Sequence, residues 1–507
     1  MNRIIFTLRT AALLLVVLTV ASCNEEELLT LTPPNRYTPE TFYQTQNQIR
    51  DAANSLYPIA RGLFTDEIID YAEFRSDNTT FEFNQNDRGR VREEEIDYFL
   101  LNADSPLPRN LYGPLYTGIL RANFILARID EVPFDDEAVR EQRRGEALFF
   151  RGFYHYLLTL HFGAVVPQTS PVEDDGSSLI GLERQPVEAV YDQVVLPDLQ
   201  QAIDLLPVSW PEDQVGRVTK GAARMAIAKA HFARRDYAAA LPFLNDIVSS
   251  GTYQLLPDFR SVFLTDNNAE IIYSAQFDAG VGQGADWMFD WIPRSGEDIS
   301  LERERVQTGF NIPTQSLIDA FEEGDERFEA TIGFYDSDPN DATNEVIPYS
   351  RKFFITPFPQ TGGIDVDYPI FRYADALLMQ AEALVEVEGG LPNQAFENIN
   401  RLRARAGLPF FFRGNPDPEL DITSEADLRA AIRQERRVEL AYESSRSYDL
   451  RRYGIFQEVM RAHGQEQIRR QDFLQDIPEA YQNIRELLPI PLRQVQLYGY
   501  AQNPGWE

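Results

Sequence analysis

The stretch "VTKGAARMAIAKAHFARRDYAAALPFLNDIVSSGTYQL", residues 218–255, decides the fold. Ala223, Ala226, Ala230 and Ala233 recur at i, i+3, i+7 and i+10. This spacing lays small side chains along one helical face, where a second helix can approach closely. Asp236 then stands as an N-cap for a partner helix, because its carboxylate can accept from the orphan N–H groups of the first turn. Two helices joined by a tight turn are the unit that this stretch predicts.

Working outward, the unit resembles a tetratricopeptide helix pair, and similar pairs recur. "FRYADALLMQAEALVEVEGGLPNQAFENINRLRARAG" (371–407) carries an apolar stripe of Phe371, Ala374, Leu377, Leu378, Ala381, Leu384 and Val385, and is cut by Gly389–Gly390. "EALFFRGFYHYLLTLHF" (146–162) is apolar nearly all round, so it belongs at the centre of a core. Its partner is "VYDQVVLPDLQQAIDLLP" (190–207). Helices are expected at 40–61, 108–130, 136–162, 187–206, 218–235, 236–250, 313–323, 371–388, 392–406, 425–443 and 445–462, and a short strand at 270–277. The pairs fall near 136–206, 218–250, 371–406 and 425–462. The expected fold is mostly α: a tetratricopeptide-like array with minor β and long irregular insertions at 62–107, 163–186 and 251–370. Loops embedded in a rigid scaffold are where binding residues concentrate.

The chain has 507 residues, 43% hydrophobic and 12% aromatic, enough for a large core. Its net charge is −32. Such a surface repels phosphate backbones, which excludes nucleic acid as a partner. One cysteine allows no internal disulfide or thiolate metal cluster. The four histidines are scattered, and His155 and His161 lie six apart, off a common helical face. The pattern implies no metal and no cofactor.

The lone cysteine has a different context. Arg3 and Arg9 precede the apolar run 11–20, which is too short to span a bilayer. Val20-Ala21-Ser22-Cys23 resembles a bacterial lipobox. The resemblance implies a signal peptide over 1–22, a lipidated Cys23 and a Pro-punctuated tether over 23–40, ahead of a single body over 41–507. Several acyl chains on one cysteine hold where a single chain is marginal. The acidic "NEEE" after Cys23 is similar to a surface-export signal.

Five segments in order then resemble the SusD/RagB family of outer-membrane nutrient-binding lipoproteins. They are the lipobox, "RGEALFFRGFYHYLLTLHFGAVVP", "FRYADALLMQAEAL" with "INRLRARAGLP", "RQERRVELAYESSRSYDLRRYG", and "LLPIPLRQVQLYGYAQNPGW". Ala164 departs from the acid that often follows "HFG" in the family. The resemblance implies a non-enzymatic, surface-anchored protein on the Gram-negative outer membrane. It implies a SusC-like TonB-dependent transporter as partner and an oligosaccharide or polysaccharide as ligand. A peptide-binding RagB-like member and, from another class, a glycoside hydrolase are the alternatives.

Glu435, Glu439 and Glu443 fall at i, i+4 and i+8, among Arg436, Arg446, Asp449 and Arg452. A glycosidase pair needs two accessible carboxyls flanking a sugar. Arginine-rich surroundings depress carboxyl pKa values and instead suit inter-helix bracing. Arg372, Asp375 and Glu382 form a polar stripe whose default is also bracing, with Arg372 placed to reach a ligand from its edge. "DWMFDW" (286–291) offers Trp287 and Trp291 as platforms for the C–H face of a sugar, with Asp286, Asp290 and Arg294 as polar partners. Two core aromatics under a loop is the competing reading. "FRSDNTTFEFNQNDRGR" (74–90) adds Asp77, Asn78 and Phe81 on the first insertion. "REEEIDYF" and the "DVD" at 365–367 lack the spacing of a calcium loop.

Overall fold

The computed structural model describes residues 39–81, 91–172, 177–293, 309–336, 340, 346–354 and 363–507. The expected signal peptide, Cys23 and tether lie outside these residues, as does Arg294.

The helical frame runs α1 (Gln46–Asn54), α2 (Tyr57–Thr65), α3 (Glu67–Glu73), α4 (Val91–Asp97), α5 (Leu107–Arg128), α6 (Glu137–Phe162), α7 (Leu196–Leu205), α8 (Lys220–Ala233), α9 (Tyr237–Ser249), α10 (Tyr373–Glu388), α11 (Asn393–Arg405), α12 (Glu425–Glu439), α13 (Arg446–Tyr453), α14 (Phe456–Arg470) and α15 (Leu492–Tyr498). From α5 to α9 each helix packs on its successor; α9 then packs on α10, which also carries α11 and α12. This is the stacked-pair architecture that the alanine stripe predicts. Ala223, Ala226 and Ala230 of α8 are fully buried, and the Asp236 carboxylate accepts from Ala239 N–H at 3.2 Å.

α6 is the axle. Its second half is buried on every side, from Gly145 through Leu158 apart from the half-buried Arg151. A Cβ on Gly118 of α5 would overlap the Tyr154 ring, so only glycine lets α5 lie this close to α6. A π-turn at Tyr191–Val195 leads into α7, directly after the turn Val187–Val190.

Among the described residues, three two-stranded antiparallel ribbons interrupt the frame. β1 (Thr79–Thr80) pairs with β3 (Ile312–Pro313), β2 (Ile271–Ala275) with β6 (Tyr368–Arg372), and β4 (Ile332–Tyr335) with β5 (Ile347–Ser350). β2 lies near the start and β6 at the end of the long third insertion, 251–370, and their pairing closes it at its base.

Several boundaries differ from expectation. The helix expected over 40–61 is broken after Asn54, and a new helix starts at Tyr57 with Pro58 in its first turn. The one over 425–443 stops at Glu439, where Tyr442 (φ 66°) and Ser444 (φ 52°) turn the chain through the left-handed region. The one over 445–462 is cut by Gly454 (φ 75°) into α13 and α14. The segment 313–323 yields only one turn, Gln315–Ile318. Among the described residues no helix is long and apolar enough to cross a membrane.

Candidate ligand-binding site

Glu435 and Glu439 of α12 are buried, and so are the arginines around them. Arg327 donates to Glu435 at 2.5 Å and to Glu439 at 2.9 Å. Arg372 donates to Glu270 at 2.9 Å and to Glu439 at 2.6 Å, and Arg405 also pairs with Glu439. Glu443 lies past the helix end, yet it still converges here, accepting from Arg372 Nε and Lys352 Nζ at 2.5 Å each. Burial alone would raise the Glu439 pKa, but Arg405, Arg372 and Arg327 hold it well below the usual carboxylate range. Burial lowers Lys352 to about 8. Carboxylates locked among guanidinium groups and closed to solvent brace the scaffold; no substrate reaches them. Glu382 and Asp375 on α10 serve the same end. Glu382 takes both Arg452 amino groups, and Asp375 takes Lys229 at 2.6 Å and Arg436 at 2.8 Å.

Arg372, Asp77, Asn78, Phe81, Trp287 and Trp291, which the sequence offered for ligand contact, are all interior, whereas Asp286 is exposed and Asp290 half-buried. Arg372 is 1% exposed and saturated by Glu270, Glu439 and Glu443, so its edge position gives it no reach to a ligand. Asp77 is clamped by Arg446 at 2.8 Å and Arg437 at 3.0 Å, which bring its carboxyl down to about 2. Asn78 accepts from Arg437 Nε at 2.9 Å. Phe81 packs between Phe74 and Phe310, with centroids at 4.5 and 4.8 Å.

Trp287 and Trp291 lie 7% and 3% exposed in a 3₁₀ turn, edge to face with each other at 4.9 Å. Phe353 and Tyr368 close on Trp287, and Tyr442 on Trp291. They are core pillars, not sugar platforms. Their Gly- and Asp-rich flanks suggested exposure, but the insertion folds back through the Ala285–Ile364 bridge onto β6 and the Tyr442 turn. Asp365 and Asp367 serve this fold-back as well. Asp365 accepts from Ala279 N–H, and Asp367 accepts from Phe277 N–H and the Ser274 hydroxyl.

Open concave surface lies beside the base of the insertion. The C-terminal end of α1, the start of α2, the loop 213–217 and β2 enclose a cleft of about 340 Å³, lined by Tyr57, Arg61, Gln214, Arg217, Tyr273 and Gln276. It adjoins a second hollow of about 180 Å³, which shares Val215, Gly216, Arg217, Tyr273 and Ser274 and adds Trp210, Tyr253 and Asn267. Aromatic walls with convergent amides and guanidinium groups are the composition that a polyhydroxylated ligand needs. The polar groups are preset. Arg217 donates to Glu146 at 2.7 Å and Asn54 at 2.6 Å; Arg61 donates to Gln283 at 2.7 Å over the Phe277 ring. Gly216 (φ 92°) crosses the cleft where any Cβ would stand 2.5 Å from Gln276 Oε1. "WPEDQVGR" (210–217) falls between the expected helices 187–206 and 218–235 and matches no binding motif. The available signal was a tryptophan and a glycine among charged residues in that linker.

A further hollow of about 240 Å³ is walled by Tyr112 and Tyr116 of α5 and by Tyr498 and Tyr500 at the carboxyl end. Ile180, Leu182 and Leu497 are exposed in the adjoining segments, which meet through the Gly181 N–H to Tyr498 O contact.

Comparison with known proteins places this geometry. Residues 322–506 match a model described as the SusD family, and residues 28–232 match one described as starch-binding, associating with outer membrane. SusD-like protein P25 of Formosa agariphila is 29% identical, with 95% of each chain covered; SusD-like protein P2 of the same organism is 25% identical, over 94% of this chain and 95% of that one. A solved laminarin-binding SusD-like protein is 25% identical and superposes with a TM-score of 0.73, over 91% of this chain and all of its own. Surface glycan-binding protein A of Bacteroides fluxus, at 23% identity, shares the fold with a TM-score of 0.69, over 91% of this chain and all of its own.

Proposed function

The chain belongs to the SusD family, and on that premise we propose that it captures oligosaccharide or polysaccharide at the cell surface without turning it over. The observation that carries this reading is the full-length likeness to a laminarin-binding relative, joined to an open aromatic and polar cleft. Tyr57 and Tyr273 supply apolar wall. Arg61, Gln276 and Arg217 supply donors for ring hydroxyls. In this reading the protein is held at the outer membrane through lipidated Cys23 and passes its ligand to a SusC-like TonB-dependent transporter. The exposed Ile180, Leu182 and Leu497 supply an apolar face for such a partner.

Affinity electrophoresis against laminarin, starch and other glycans tests the reading, with chromatography of each mixture afterwards. Retardation by one glycan class with no new sugar species is expected. Arg61→Ala should weaken it while leaving the melting temperature within about 1 °C, as surface changes do. Gln276→Ala should weaken it and also lower the melting temperature, because the Gln276 amide donates to Ser274 and the buried Asp367. Binding to peptides alone, or hydrolysis products that persist through purification, overturns the proposal.

A further inference from the structure

A cavity of about 260 Å³ opens between α6, α8 and α13, on the helical frame rather than beside the insertion. In a chain of net charge −32 its lining is cationic: Lys229, Arg235, Arg436, Arg451 and Arg452, against Asp449 and Glu486. Three of these cations are neutralised from behind. Lys229 pairs with Asp375 at 2.6 Å. Arg436 pairs with Asp375 at 2.8 Å and Asp449 at 3.2 Å. Arg452 pairs with Asp449 at 2.9 Å and with Glu382.

Arg235 and Arg451 are not so matched. Arg451 has a side chain only 15% exposed, yet among the described residues its guanidinium reaches no hydrogen-bond acceptor. Its nearest carboxylate oxygen belongs to the half-exposed Glu486, at 3.9 Å. Arg235 donates only to the Arg451 carbonyl, at 3.3 Å, and has no carboxylate within ion-pair distance among the described residues. Arg235 is also held with φ at 58°, a costly conformation for a side-chain-bearing residue, and it stands over the end of α13 beside Gly454. A guanidinium carries five donors, and enclosing one without acceptors is expensive. Burial accordingly depresses the Arg451 pKa. The Tyr448 hydroxyl, bonded to His161 at 2.9 Å, lies on the same wall.

We propose that this cavity is an oxyanion site, in which Arg451 and Arg235 hold a sulfate or carboxylate group. Two sources share that chemistry: a free inorganic anion, or the acidic group of a charged saccharide. The inference stands apart from the carbohydrate cleft, because no residue lines both.

The test is a melting-temperature titration of the whole chain with sodium sulfate against sodium chloride at matched ionic strength, with sodium glucuronate against glucose as the second arm. A saturable rise with sulfate that chloride does not reproduce is expected, at least tenfold weaker in Arg451→Gln and several-fold weaker in Arg235→Gln. Arg235 is exposed, so its variant keeps the test valid where Arg451→Gln fails to fold. A response to sulfate and not to glucuronate assigns a free anion, and a response to glucuronate and not to glucose assigns a sugar-borne acid; either supports the site. No rise beyond chloride in both arms, or equal rises in the parent and both variants, overturns it. Arg61→Ala should leave the sulfate response unchanged, which separates failure here from failure of the cleft.

Discussion

Replacing Trp291 by alanine distinguishes a structural role from a ligand-contact role for the tryptophan pair. The indole is 3% exposed, and its ring meets Trp287 at 4.9 Å, Tyr442 at 5.7 Å and Phe353 at 5.9 Å. Truncating a buried Trp of this kind costs about 3–5 kcal/mol, because transfer energy is lost and the cavity only partly collapses. Unfolding entropy is about 2.1 cal/mol/K per residue. A body of this length therefore carries roughly 1 kcal/mol/K, and the melting temperature should fall by about 3–5 °C. Trp291→Phe keeps most of the ring contacts and should lose about a third as much. Differential scanning calorimetry measures the shift, and affinity electrophoresis on the same samples measures glycan retention. Trp291→Ala that melts within 1 °C of the parent but no longer binds glycan would falsify the core assignment and restore the platform reading.

Three further outcomes follow from the same packing. Glu439→Gln leaves Arg327, Arg372 and Arg405 without their shared charge, and should cost about 3–5 kcal/mol in denaturant unfolding. Glu73 is 1% exposed with its carboxyl raised from 4.5 to about 7 by burial. The folded state then holds a proton that the unfolded chain releases between those values, so this residue's contribution to stability falls as pH rises from about 4.5 to 7. Glu73→Gln keeps the acceptor for Ser444 N–H; it should be more stable than the parent at pH 8, by up to about 3 kcal/mol, and no more stable at pH 4.5. An equal effect at both pH values in urea titrations would sink that assignment. Gly216→Ala should cost about 1–2 kcal/mol from its left-handed backbone, and should also weaken glycan retention by displacing Gln276.

The helical frame was legible because its signals are local. The alanine stripe of α8, the Asp236 cap and the apolar run of α6 each act within a few turns of chain, and they reappear as the close packing of α5 through α9. Helix ends were less legible. Glu443 reads as one more turn of α12, and only the positive φ at Tyr442 and Ser444 ends the helix before it. The carboxylate network was half-legible: residue types announced arginine–glutamate bracing, but Arg327 and Arg405 come from distant segments and bear no sequence relation to Glu435 and Glu439.

What the sequence by itself determined about this chain is a stack of paired helices with long insertions, and a family likeness spread over its whole length. Only the tertiary structure decided which polar and aromatic side chains face solvent. Asp77, Asn78, Phe81, Trp287, Trp291 and Arg372 have the chemistry of ligand contacts and the environment of a core. The cleft at Arg61, Arg217 and Gln276 joins residues more than two hundred positions apart. Periodicity is written in neighbouring residues, whereas burial is set by whatever remote segment folds over them, and no local pattern encodes that partner.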